Sequence, residues 1–121
     1  MSTKKRQQYR HLPAFILLAL TEGPIHGGAV HAALTGRMPV FKTDTGAVYR
    51  ALQQLEREGA VISSWDTSGT GPARRIYSIT QEGWARLEFW KQDIEQRLTN
   101  LNYFLDTYNR LTQKGKRRKN K

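Results

Sequence analysis

The 121-residue chain contains no cysteine. Disulfides and thiolate metal sites are therefore excluded; the redox compartment is left unconstrained, with the cytoplasm as the default expectation. Long apolar runs are missing as well. The longest, Ala14 to Leu20, is far short of the ~20 residues that a bilayer-spanning helix needs. The basic N-terminus lacks a small-residue cleavage site after an apolar core and does not read as a secretion signal. Histidine is scarce: His26 and His31 stand five apart, not four, so a helix would not present them together as metal ligands, and His11 is remote in sequence. No glycine-rich phosphate loop, nucleophile elbow or His-Glu-x-x-His motif occurs. No catalytic residue, metal site or cofactor is expected, and the chain does not read as an enzyme. No internal repeat is visible.

Acidic residues are few, ten against twenty Lys and Arg, giving a formal net charge of +10. The excess is confined to the ends. Lys4, Lys5, Arg6 and Arg10 lie at one end, and Lys114, Lys116, Arg117, Arg118, Lys119 and Lys121 at the other. Residues 11–113 balance ten Lys and Arg against ten Asp and Glu. Residues 1–8 and 114–121 therefore read as basic tails, the second disordered, that add sequence-blind affinity for phosphates.

Between the tails the pattern is mostly helical. Residues 9–21 form an apolar helix with Pro13 in its first turn, where the missing N–H does no harm. Leu12, Phe15, Ile16, Ala19 and Leu20 share a face; Leu17 and Leu18 widen it beyond one stripe, which implies burial against something outside the domain. Glu22-Gly23-Pro24 makes a turn, and a second helix runs from His26, expected to cap or pack at its start, to Leu34. Asp44 is a good N-cap for a third helix, Thr45 to Glu58, closed by Gly59. Val48, Leu52 and Leu55 face its core; Thr45, Tyr49, Arg50, Gln53 and Arg57 face outward. Ala60–Asp66 and Arg75–Thr80 alternate as strands, with Ile76 expected inside and Trp65 in core or wing packing. The loop between them holds Gly69, Gly71 and Pro72.

Helix, helix, helix, strand, hairpin, strand is the order of a winged helix-turn-helix, an α+β fold that is mainly α with a small β-hairpin. Such a domain over residues 9–82 suits double-stranded DNA better than a small substrate. The third helix would enter the major groove N-terminus first, bringing Thr43, Thr45, Tyr49, Arg50 and Gln53 to bases or flanking phosphates, with Gly46 allowing close approach. Gly71, Arg74 and Arg75 would supply the wing. Strand alternation prevents both arginines from facing DNA equally. Residues 83–113 continue as a helix, a rod of ~45 Å. Leu87, Ile94, Leu101 and Tyr108 recur every seven residues, with Trp90, Phe104 and Leu111 in a second seam and Leu98 and Leu105 thickening it. No other long helix exists to cover that stripe, so it reads as a homodimerisation surface shared with Phe15 and Leu18. Paired copies of Trp90 could line a slot for a flat hydrophobic effector.

Three segments resemble the PadR family of bacterial transcriptional regulators: Leu20-Thr-Glu-Gly-Pro-Ile-His-Gly, Gly46-Ala-Val-Tyr49 leading into Ala51-Leu-Gln-Gln-Leu-Glu-Arg-Glu-Gly59, and Gly71-Pro-Ala-Arg-Arg-Ile-Tyr-Ser-Ile-Thr-Gln-Glu-Gly83. They stand in order, with matching spacing, across about residues 12–112. The single long C-terminal helix is similar to the family's short subclass. The resemblance implies a homodimeric repressor on an inverted-repeat operator, released by a small, commonly aromatic, ligand. Two positions depart from the family pattern: Gly28 where tyrosine is usual and Arg50 where proline is usual. On the residues alone, a winged-helix protein-interaction module and a transcriptional activator with the same DNA-binding mode stay open.

Overall fold

The computed structural model describes residues 10–119, with side chains through Lys114. The tail expected over residues 1–8, and Tyr9, lie outside the described residues. Seven elements follow in order: α1 Leu12–Leu20, β1 Ile25–His26, α2 Gly27–Arg37, α3 Thr45–Arg57, β2 Val61–Asp66, β3 Arg74–Ile79 and α4 Gln81–Lys119. The chain divides into two compact units, Met1–Glu88 and Phe89–Lys121.

In the first unit, three helices enclose a core with one face of the sheet. Ile16, Leu17 and Leu20 of α1 meet Val30 of α2, Val48 and Leu52 of α3, and Val61 of β2; all are fully buried. Each such side chain contributes about 1.5–3 kcal/mol. The over-wide apolar surface of α1 divides in two. Leu17 enters the core, Phe15 packs half-buried against it, and Leu18 stays 56% exposed.

The sheet has three antiparallel strands in the order β1-β3-β2. β1 was not expected: two residues are too short to show a period, and only pairing with β3 (Ile25 opposite Tyr77, His26 opposite Ile76) makes them a strand. The same register corrects the expected inside face of β3. Tyr77 is the buried residue, beside Ile25 and Ser63, while Ile76 is half-buried on the other face. The aromatic ring has the larger area to remove from water, and burial raises its phenol pKa.

Two glycines set the joins. Gly59, at φ +80°, ends α3: its N–H reaches the Glu56 carbonyl at 3.0 Å and that of Ala60 reaches Leu55 at 2.9 Å, the paired bonds of a Schellman turn. Gly83 lets α4 lie on the sheet, since a Cβ there would meet the Ala60 carbonyl and stand 2.6 Å from Ile79 Cγ1. Arg86 then bridges Glu58 and, at 3.0 Å, Glu82, and Leu87 packs against the core. Leu87, expected on the dimer stripe, is thus partly spent inside its own unit.

The second unit is the rest of α4. The helix continues to Lys119, so residues 114–119, expected to be disordered, are helical. Lys and Arg are good helix formers, and cations suit a helix C-terminus. Leu98, Leu101, Phe104, Leu105, Tyr108 and Leu111 are exposed, as are Phe89 and Tyr103 away from the heptad positions; Trp90 and Ile94 are half-buried. No described helix is long and apolar enough to cross a membrane.

Candidate nucleic-acid interface

The inward stripe of α3, Ala47, Val48, Leu52 and Leu55, fixes which side remains for partners. Thr45, Tyr49, Arg50 and Gln53 are all exposed on that side. Asp44 begins the helix from extended backbone, its Oδ1 accepting from the Ala47 N–H at 2.6 Å. Thr43 faces differently from expectation. Its hydroxyl oxygen is buried with no hydrogen-bond partner among the described residues, and its carbonyl accepts from His31 Nε2 at 2.8 Å.

Two of the exposed side chains are held in place by missing Cβ atoms. The Tyr49 ring lies on the first turn of α2: a Cβ on Gly27 would stand 2.6 Å from Cε1, and one on Gly28 3.5 Å from the hydroxyl. The Arg50 guanidinium folds back over Gly46, where a Cβ would stand 3.1 Å from Nη1. Gly46 therefore makes room for this chain's own arginine. The signal for the Tyr49 seat was present as His26-Gly27-Gly28, but sequence alone does not bring it beside residue 49.

The wing arginines separate by strand alternation. Arg75 shares a face with Trp65 and Ser63. Its Nε donates to Ser63 Oγ at 2.9 Å, its guanidinium carbon stands 5.1 Å from the Trp65 ring centre, and Nη2 is 3.9 Å from Glu56 Oε2. Ser63 Oγ in turn donates to Glu56. This chain of contacts ties the wing to α3. Trp65 is not in the core; the residue is 61% exposed, and its ring lies against Arg75 on the wing. Arg74 points to the other face, opposite Asp66 in register, and makes no side-chain hydrogen bond or ion pair among the described residues.

His26 occupies the N-cap position of α2, but its side chain makes no cap bond. Its Nε2 donates instead to Asp66 Oδ2 at 3.1 Å, joining the start of α2 to the wing. Ser68 donates to the same carboxylate through its hydroxyl at 2.6 Å and its N–H at 3.0 Å. The Ser68 hydroxyl and N–H first, then His26, hold the Asp66 pKa down to about 2. A cleft of about 510 Å³ opens between α3 and the wing, lined by Tyr49, Arg74, Arg75 and the His26–Gly28 turn. Gly71, at the exposed hairpin tip, lies beyond it. The cleft brings together Tyr49, Arg74 and Arg75; Thr45 and Gln53 lie on the exposed side of α3, outside its walls.

Three core helices, a short strand and a basic two-stranded wing define a winged helix-turn-helix protein. The sequence profile of the transcriptional regulator PadR-like family matches residues 16–89, and the chain belongs to that family. Among solved structures, a PadR-like transcriptional regulator from Bacillus cereus is similar at 26% identity and a TM-score of 0.68, over 82% of this chain and 96% of that one. A PadR family regulator from Clostridium difficile is 25% identical, with a TM-score of 0.67 over 78% of this chain and 98% of its own. Bacillus subtilis PadR, solved in complex with operator DNA, shares the fold at 24% identity and a TM-score of 0.60, over 68% of this chain and 47% of that one. No curated protein sequence matches the chain.

Proposed function

We propose that the protein is a homodimeric, sequence-specific DNA-binding regulator of the cytoplasm, a repressor that leaves an inverted-repeat operator when a small, flat hydrophobic ligand binds. The observation that carries this reading is the exposed row Thr45, Tyr49, Arg50 and Gln53 on α3, with Tyr49 and Arg74 meeting in one cleft. Groove-facing polar side chains on a capped helix, flanked by a basic strand, match how helix-turn-helix proteins read base edges and phosphates. The Bacillus subtilis relative, solved in complex with operator DNA, supports DNA as the partner. Arg50 and Gln53 read bases; Arg74 and the hairpin around Gly71 hold phosphates. Arg75 acts mainly by fixing the wing, because its donors are already engaged by Ser63, Trp65 and Glu56.

The second copy pairs along α4. Its exposed seam of Leu98, Leu101, Phe104, Leu105 and Tyr108 is too apolar for a solvated helix face, and Trp90 supplies an aromatic wall for the ligand. Residues 9–82 thus form the reader, and the following helix the dimerisation element. The test is a competition gel-shift with the DNA upstream of the protein's own gene, across a salt series. The specific complex survives excess unrelated DNA, and Arg50→Ala relaxes sequence preference. Arg74→Ala weakens all DNA alike and lowers the slope of log affinity against log salt by about 1. Retention by a protein bait with no salt-resistant DNA complex would point to the interaction-module alternative.

A further inference from the structure

Trp65 stands on the wing with 61% of its surface exposed. A lone exposed aromatic is ordinary on a protein surface. Three observations set this one apart. Its ring is held, because the Arg75 guanidinium lies over one face, 5.1 Å from the ring centre, and Arg75 is itself tied to Ser63 at 2.9 Å. Its indole N–H donates to no protein group among the described residues. Finally, it borders the reading cleft: the same Arg75 that covers the ring lines that cleft with Tyr49 and Arg74.

Strand alternation puts the ring there. Trp65 shares the face of β2 that carries Val61 and Ser63, and Ser63 is bonded to Glu56 of α3. Ile62 is as exposed, at 60%, but stands on the opposite face, turned away from α3. The wing therefore offers a flat apolar surface with one open donor beside the exposed row of α3. A nucleotide unit of a DNA strand complements both properties: its deoxyribose has an apolar edge, and its phosphate oxygens accept hydrogen bonds.

We infer that Trp65 is a DNA-backbone contact, its open ring surface packing on a deoxyribose and its indole N–H donating to the adjoining phosphate. Arg75 is the support that holds the ring in position. The inference rests on the DNA-reading proposal for where the duplex lies, and adds a neutral contact to the charged one at Arg74. The two contacts carry different signatures. A neutral donor displaces no condensed counterion, so its loss weakens binding without changing the salt dependence.

Full-length protein carrying 5-fluorotryptophan has three fluorine signals, from Trp65, Trp84 and Trp90, and the Trp65 signal is identified by its loss in Trp65→Phe. It is titrated with a fragment of the DNA upstream of its own gene and, at low salt, with an unrelated duplex. Both should move the Trp65 signal saturably and shield it from a soluble paramagnet, since a backbone contact is blind to sequence. Trp65→Phe keeps a ring and removes the donor, and should weaken both duplexes roughly two- to tenfold. Trp65→Ala should weaken both by more than about tenfold, at an unchanged slope of log affinity against log salt. A Trp65 signal that stays in place while duplex is bound overturns the contact. Parent affinity in Trp65→Phe overturns the donation to phosphate, and a slope that falls in Trp65→Ala as it does in Arg74→Ala overturns the neutral character. A Trp65 shift with the unrelated duplex, but no specific complex on the upstream DNA, overturns the sequence-reading proposal and leaves the contact standing.

Discussion

Arg74 and Arg75 are adjacent and chemically identical, yet the sheet assigns them different work. Arg75 is held between Trp65, Ser63 and Glu56, so Arg75→Ala should loosen the wing against α3 and lower thermal stability. The partners are partly exposed, which limits the loss to less than about 1 kcal/mol. Arg74→Ala should leave the melting temperature unchanged. Calorimetry of the two variants separates the roles. Tyr49 depends similarly on Gly27. A methyl group there pushes the ring off its seat, so Gly27→Ala should weaken operator binding, and the same change in a Tyr49→Ala background should add little, a coupling read from a double-mutant cycle.

Asp66 provides a pH signature. Its pKa falls from an unfolded value near 3.8 to about 2 in the folded chain. A depressed carboxyl pKa contributes stability that is complete above the unfolded value and is lost as pH falls toward the folded one. Unfolding measured between about pH 5 and pH 2 should therefore lose stability mostly below pH 3.8, and Asp66→Asn should flatten that part of the curve. These residue pairings were not legible in the sequence. Glu56 with Arg75, and His26 with Asp66, meet only through the sheet register.

At the scale of elements, α3 was legible almost to the residue because its signals agree: Asp44 caps it, the apolar period is 3.6, and Gly59 closes it. Asp44→Ala should cost about 0.5–2 kcal/mol of stability, checked by denaturant unfolding, and should fray the turn that presents Thr45 and Gly46. β1 was illegible because a two-residue strand carries no pattern of its own. The inward face of β3 was misjudged because Ile76 and Tyr77 are both apolar enough to be inside; the opposing residues Ile25 and Ser63 decide it. Helix α4 was legible as a stripe, but not where it stops serving the winged unit. Gly83, Arg86 and Leu87 bind its first turns to that unit, and this depends on the position of Ala60 and Glu58.

For the whole molecule, the proposed dimer makes α4 a spacer as well as an interface. A charged residue in its exposed seam, Leu101→Glu, should yield monomers by sedimentation while the winged unit keeps its fold, since Leu101 lies in the second unit and is 61% exposed. Charge does not follow that division but collects at the ends of the chain. Residues 11–113 are formally neutral, and residues 114–121 carry six cations. Removing that segment should flatten the salt dependence of DNA binding and leave sequence preference unchanged, because phosphate neutralisation is blind to bases.

The central claim is that two identical winged units read two halves of one inverted repeat. Helix-turn-helix dimers place their recognition helices about one or more DNA turns apart, roughly 10 base pairs per turn. Footprinting on the DNA upstream of the protein's own gene measures this directly. The account predicts two protected blocks of inverted sequence, spaced by whole turns, both lost together in Leu101→Glu at concentrations where the parent protein occupies them. Protection of a single block that survives Leu101→Glu, or uniform protection independent of sequence, would contradict it.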